Sequence, residues 1–265
     1  MNLTKPELQL ANLDNFTRLW QAMGADERLL SSQLSPQLSP QHKVFLSRSW
    51  PYRFWCENLM ASSGDGVSPD LINHLLQLPG NSVIPVWPQV EPAQESLEQA
   101  LMDNGYSISF ELVAMGLTVE AGKAVNIQET GGLKLITCTG EAELNCWTRV
   151  CSEAFGYDID PDVIQGLAED SNARLVLAYE NQQPVATALL FNSRYQSMQV
   201  TGIHQFGVPE KYRGRGIARQ LMSVLLAQSV GNTDFFSLQA SVMGKGLYEG
   251  LGFKEQFVIR NYRKA

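Results

Sequence analysis

Three histidines and four cysteines in 265 residues leave little material for a metal centre. His42, His74 and His204 are far apart in sequence, and Cys56, Cys138, Cys146 and Cys151 form no C-x-x-C pair. No metal site is therefore expected, and the thiols are read as reduced rather than bridged. No apolar run approaches the roughly 20 residues of a membrane span, and MNLTKPELQLANLD lacks the cationic-then-apolar pattern of an export signal. The expectation is a cytoplasmic protein with no membrane partner. Positive charge is also scarce: 20 Lys and Arg face 27 Asp and Glu, a net charge of −7, of which residues 1–125 carry −6. That balance argues against a nucleic-acid partner. It suits either a solubilising surface or a cationic amine substrate. A G-x-S-x-G elbow, an H-E-x-x-H helix, an EF-hand loop and a G-x-x-x-x-G-K-[ST] loop are all missing, which removes the hydrolase, zincin, calcium and Walker-type readings.

What is present is ample apolar material, 44% of the chain, and enough length for two domains of about 120 to 140 residues. Periodicity predicts helices over 6–23, 69–78 and 93–104 in the first half, with strands over 42–49, 52–55, 82–87 and 107–119. Residues 31–41, SSQLSPQLSPQ, read as a loop, and 120–132, EAGKAVNIQETGG, as a linker. The second half reads as strand 133–138, helices 141–155 and 161–169, then strands 174–180, 184–192 and 197–208. A long helix 214–230, a strand 235–240, a short helix 244–251 and strands from 253 onward complete it. Trp20, Trp50, Trp55 and Trp87 all fall in the first half, as core or as the lining of an acceptor pocket.

Residues 212–218, YRGRGIA, lie between the strand ending at Val208 and the long helix. Gly214 and Gly216 permit backbone conformations closed to other residues. A loop of this kind at a helix N-terminus is a natural anion site, because unpaired amides and the positive end of the dipole meet there. Lys211, Arg213, Arg215 and Arg219 are near enough in sequence to add charge. A dinucleotide fingerprint would need a third glycine where Arg219 stands. The pattern Arg213-x-x-Gly216-x-Ala218 after Val208-Pro209 instead resembles the [QR]-x-x-G-x-[GA] signature of the GNAT superfamily of N-acetyltransferases. Downstream, the run Leu247-Tyr248-Glu249-Gly250-Leu251-Gly252-Phe253 resembles that family's [LY]-Y-x-x-x-G-F motif.

The resemblance implies an α/β (α+β) GNAT fold, a mixed central sheet with splayed strands flanked by helices, at residues 126–265. It implies acetyl-CoA as cosubstrate and an amine-bearing small molecule or peptide as acceptor. Backbone groups of Phe206, Gly207 and Val208 would pair with the pantetheine, and the amides of Arg213, Gly214, Arg215, Gly216, Ile217 and Ala218 would face the pyrophosphate. Tyr248 would be the acid that meets the departing thiolate. Deprotonating an alkylamine at neutral pH costs roughly 4.6 kcal/mol, so a base is sought, and His204 on the 197–208 strand is the candidate. A period of two would place Gly202, His204, Phe206 and Val208 on one face. Ser241 and Gly244 depart from the Asn and Ala of many relatives, which leaves Ser241 a single hydrogen bond to offer the cofactor. A second reading from another class is a CoA-binding sensor or scaffold module without turnover.

Residues 1–125 contain no such glycine loop. Yet Ala100, Leu101, Gly105 and Tyr106 are spaced like Leu247, Tyr248, Gly252 and Phe253. The first half is accordingly expected to be a second, degenerate GNAT-like α/β domain, with Leu101 where Tyr248 would be.

Overall fold

The computed structural model describes residues 4–28, 43–47, 49–57, 69–119 and 132–264. Local signals start its helices. Thr4 and Glu7 cap α1 (Lys5–Ala22) reciprocally, the Glu7 carboxylate accepting from the Thr4 amide at 2.8 Å, which satisfies two orphan donors at once. Asp160 accepts from the Asp162 amide at 3.0 Å at the head of α5 (Pro161–Ala168), with Pro161 supplying the first helical residue. Between them in sequence, α4 (Glu141–Phe155) buries Leu144, Trp147, Val150, Cys151 and Ala154, spaced as one helical stripe, and stops at Gly156 with φ 73°.

The first half also supplies β1 (Ala25–Arg28), β2 (Lys43–Ser47) and β3 (Phe54–Glu57), which form their own antiparallel sheet. After α2 (Pro69–Leu76) come β4 (Ile84–Val86), α3 (Gln94–Asp103) and the long β5 (Tyr106–Thr118). The second half contributes β6 (Lys134–Thr137), β7 (Ala173–Glu180), β8 (Gln183–Tyr195), β9 (Met198–Gly207), α6 (Ile217–Ser229), β10 (Phe235–Ala240), α7 (Lys245–Glu249) and β11 (Lys254–Lys264). These elements match the expected helices and strands closely, apart from β1, whose four residues ADER carry no apolar alternation. The expected loop at 31–41 and nearly all of the expected linker lie outside the described residues.

The main sheet has eight strands in the order β4-β11-β5-β10-β9-β8-β7-β6. Two strands have crossed over. β5, from the first half, lies between β10 and β11 of the second and is antiparallel to both. β11, from the second half, lies between β5 and β4 of the first. The two halves of the chain therefore share one hydrogen-bonded sheet. One face packs against α1, α4 and α5 through Phe16, Trp20, Trp147, Ile164, Leu177 and Leu189. The other packs against α6 and α7 through Ala186, Leu190, Ile203, Leu221, Leu225 and Tyr248. Trp20, Trp50, Trp55 and Trp87 are all buried, so their role is packing.

Candidate active site

β9 and β10 run parallel and pair only from Val200 to Ile203 against Phe235 to Leu238. Past that point β9 stays with β8 while β10 stays with β5, and the sheet opens between them. A bulge in the β8–β9 register, between Leu189↔His204 and Thr187↔Gly207, marks the same place, and Gln205 there has φ 43°. His204 and Gln205 both turn to the α1 and α4 face: His204 meets Asn15, and Gln205 accepts from Tyr157 Oη at 3.4 Å. Phe206 then falls on the α6 face with Val208. The strict alternation that placed His204 and Phe206 together is corrected by this one extra residue.

At the mouth of the opening, Gly214 and Gly216 have φ of 76° and 78°, and Gly216 is the N-cap of α6. An L side chain is strained at either position. Gln220 N donates to Gly216 O at 3.1 Å, so the amides just before Gln220 belong to the first turn, which has no intrahelical acceptor. Gly214, Arg215 and Gly216 are exposed, whereas Ile217 is buried and anchors the helix. The cations divide. Arg213 turns inward: its guanidinium donates to Val208 O at 2.9 Å and Ala154 O at 2.8 Å, and its amide donates to Glu210 O at 3.0 Å. It therefore braces β9 and α4, and its own amide is already engaged. Arg215 pairs with Glu180, and Lys211 with Glu153 at 2.8 Å. Arg219 is half-buried and has no ionic or hydrogen-bonding partner for its side chain among the described residues.

Tyr248, on α7, stands edge-on to Phe206 (6.2 Å between centroids) and to Phe253 (6.0 Å). The residue is largely buried, and its hydroxyl, which makes no hydrogen bond among the described residues, is not sealed from solvent. Burial pushes its pKa up to about 12, so the phenol keeps its proton at neutral pH. A Cβ at Gly244 would lie 3.1 Å from the Tyr248 ring and 3.6 Å from Ser241 Oγ. Glycine there thus leaves the ring room and brings Ser241 close to it. Ser241 stands in the turn that leads into α7, its Oγ accepting from the amide of Gly244, the N-cap residue, at 3.3 Å.

A family model described as an acetyltransferase (GNAT) domain matches residues 134–263. The C-terminal half of the chain belongs to the GNAT acetyltransferase family. Among solved structures, a GCN5-related N-acetyltransferase from Kribbella flavida is similar over 100% of this chain and 96% of its own, with TM-score 0.64 and 15% identity. One from Sphaerobacter thermophilus gives TM-score 0.58 at 15% identity, over 84% and 76% of the two chains. A GCN5-related N-acetyltransferase-like protein from Streptococcus suis gives 0.52 at 15%, over 96% and 100%. The fold of the whole chain is thus shared with GNAT structures. A comparison with curated proteins finds no match.

Within this GNAT domain the two residues expected to do chemistry lie on opposite faces of the sheet. Tyr248 is on the α6 face, and His204 is buried beneath α1, stacked on Phe16 with ring centroids 5.6 Å apart. Asn15 Nδ2 donates to Phe191 O at 2.9 Å and to Ser193 Oγ at 2.8 Å, leaving Oδ1 to accept from His204 Nε2 at 3.0 Å. A Cβ at Gly202 would overlap both Asn15 Oδ1 and His204 Nε2. Glycine is what admits this pair between helix and sheet. Burial drags the His204 pKa down to about 3, a hydrogen bond with Gln239 opposing, which makes the imidazole a poor proton acceptor at neutral pH.

Sequence reading did not find Gln205, Tyr157 or Phe155. Tyr157 and Phe155 lie against each other at 5.6 Å beside the bulge, and the Phe155 ring fills the space where a Gly207 side chain would be. The only signal for them is position, just past the α4 stop at Gly156.

Proposed function

We propose that the protein is an acetyl-CoA-dependent N-acetyltransferase that carries an acetyl group to a primary amine. The observation that supports it most is the combination of a sheet opened at Ile203, two left-handed glycines at the head of α6, and a protonated, unpartnered Tyr248 hydroxyl between them. The residues fit the donor. At Phe206 and Gly207 the side of β9 away from β8 has lost its β10 partner and has the edge character that an extended pantetheine requires, and the first turn of α6 suits a diphosphate. Acetyl-CoA supplies an activated acyl carbon held by a thioester. The chain's part is to bind and orient it, and to hold a proton at Tyr248 Oη for the sulfur that leaves as the new C–N bond forms. His204, held below the sheet, fixes the bulge that turns Phe206 toward Tyr248.

The test is release of free thiol from acetyl-CoA with a panel of primary amines, wild type against Tyr248→Phe. Amine-dependent release that drops in the variant while acetyl-CoA affinity is kept supports the enzyme. The burial of His204 motivates the second reading, a CoA-binding module without turnover, because the residue expected to act as base is turned to the α1 face and bonded to Asn15. Tight acetyl-CoA binding with no amine-dependent release, unchanged by Tyr248→Phe, would establish that reading.

A further inference from the structure

On the α1 face, beside the bulge, lies a cation that the reaction as described does not use. Arg53 precedes β3 and is half-buried. Its guanidinium stands over Trp20 at 5.5 Å and over Phe110 at 5.7 Å, and Nη1 donates to Asn261 Oδ1 at 3.3 Å. Nε is buried with no hydrogen-bond partner, and no carboxylate pairs with the group among the described residues. Arg263, exposed on β11, lies over the same Phe110 ring at 6.0 Å. In a chain of net charge −7, two guanidinia share an aromatic ring with no acid paired to either among the described residues. Leaving a charged donor buried and unmatched costs stability. Burial, with the neighbouring Arg263 adding to it, brings the Arg53 pKa down to about 10, Tyr157 opposing, so the group is still charged at neutral pH.

The position connects this cation to the site. Arg53 and Tyr157 are close enough to interact electrostatically. Tyr157 donates to Gln205 at the bulge, one residue from Phe206. With Nη1 held by Asn261, the remaining edge of the guanidinium, Nε and the other terminal nitrogen, is the two-donor fork that matches a planar carboxylate. We propose that Arg53, aided by Arg263, receives the carboxylate of the acceptor, so that the acceptor class is an amine that also bears a carboxylate, such as a free amino acid. This rests on the acetyltransferase reading above. It goes further by placing the acceptor on the α1 and α4 face, across the sheet from Tyr248.

The test uses the full chain with acetyl-CoA and the common L-amino acids, each paired with its C-terminal amide. Replacing the carboxylate by the amide is expected to lower kcat/KM about 10- to 100-fold, the worth of one charged hydrogen-bonded contact. In Arg53→Gln the acid's KM rises and that preference collapses, while the amide is little affected. Arg53→Lys keeps charge without the fork and falls between. Arg263→Gln, at an exposed position, weakens the preference about two- to fivefold and decides the matter if Arg53→Gln does not fold. Amides used as well as acids, or a preference that survives in an Arg53→Gln protein that still binds acetyl-CoA, overturns the proposal and leaves the acetyltransferase reading intact. If acetyl-CoA binds and no amine is acetylated, that reading falls instead. Tryptophan fluorescence of Trp20 beside Arg53, titrated with the same pairs, then decides. Saturable change with acids alone, lost in Arg53→Gln, supports carboxylate recognition, and equal responses to both members of each pair refute it.

Discussion

In the first half of the chain Leu101 of α3 is followed by Gly105 at φ 81° and by Tyr106 at the head of β5; in the second, Tyr248 of α7 is followed by Gly252 at φ 98° and Phe253 before β11. The backbone device is the same, a helix stopped by a left-handed glycine that turns the chain into a long strand. The two strands so launched lie side by side, antiparallel, each on the other half's side of the sheet. Their side chains diverge. Leu101 is fully buried in an apolar cluster with Phe54, Ile84 and Leu97, and the Tyr106 hydroxyl is satisfied by Leu75 O at 2.6 Å. Tyr248 is nearly as buried, but its hydroxyl has no protein partner among the described residues and is not sealed from solvent. A hydroxyl needed only for packing would be held as that of Tyr106 is, whereas one left reachable at the sheet opening is free to donate to a ligand. The comparison teaches where to look for function: at the junction whose polar group is left reachable.

The strongest way to break the comparison is to separate the halves. Residues 126–265 expressed alone lack β5, so β10 and β11 lose the strand between them. A thermal scan of the fragment is expected to show no cooperative transition, whereas the full chain shows one. A fragment that melts cooperatively and binds acetyl-CoA like the full chain would mean the exchanged strand is dispensable.

Next come the paired side chains. Tyr248→Phe is expected to lower kcat about 100-fold with acetyl-CoA affinity and Tm nearly unchanged. Leu101→Ala should do the reverse, destabilising by about 2–5 kcal/mol while the protein that remains folded keeps its kcat. Denaturant melts and steady-state kinetics on both variants separate the two roles, and similar effects at the two positions would erase the distinction.

Glycines sharpen it further. Gly105→Ala and Gly216→Ala each force a side chain into the left-handed region, at about 1–2 kcal/mol. Only Gly216→Ala should weaken acetyl-CoA binding in calorimetry. An equal loss in both would show that the loop acts through stability alone.

Near neutral pH the smallest effect is that of His204, which emerges only on acidification. His204 has a folded pKa of about 3, below its unfolded value of about 6.5, so the unfolded chain binds the proton more readily. Its contribution to stability is complete above pH 6.5 and is lost as pH falls from there toward 3, by at most about 1.4 kcal/mol per pH unit. Melts at a series of pH values should show a shallower acid slope in His204→Asn than in wild type. The pH profile of kcat should be unmoved. A shifted kcat profile would return His204 to the chemistry.

Most helices and strands were legible because their apolar residues recur at the spacing of the element they form, as in α4 and α6, and because caps such as Thr4, Asp160 and Gly156 are local. The glycine loop was legible for the same reason: positive φ at Gly214 and Gly216 is a property of those residues and their neighbours. What misled was the face of His204. Alternation along a strand holds only while the register holds, and the bulge at Gln205 is set by pairing with β8, which no count along β9 contains. Arg213 likewise had the charge expected of a phosphate ligand, but its guanidinium reaches Val208 and Ala154, and which carbonyls await a side chain depends on the packing of α4 against β9.

By itself the sequence determined the elements, their order and the turn that heads α6, because each depends on contacts within a few residues. Only the tertiary structure decided that β5 and β11 change places, that His204 lies beneath α1, and that Arg53 ends beside the bulge. Those outcomes come from pairings between residues more than a hundred positions apart, where burial and hydrogen-bond satisfaction across the whole sheet outweigh local preference.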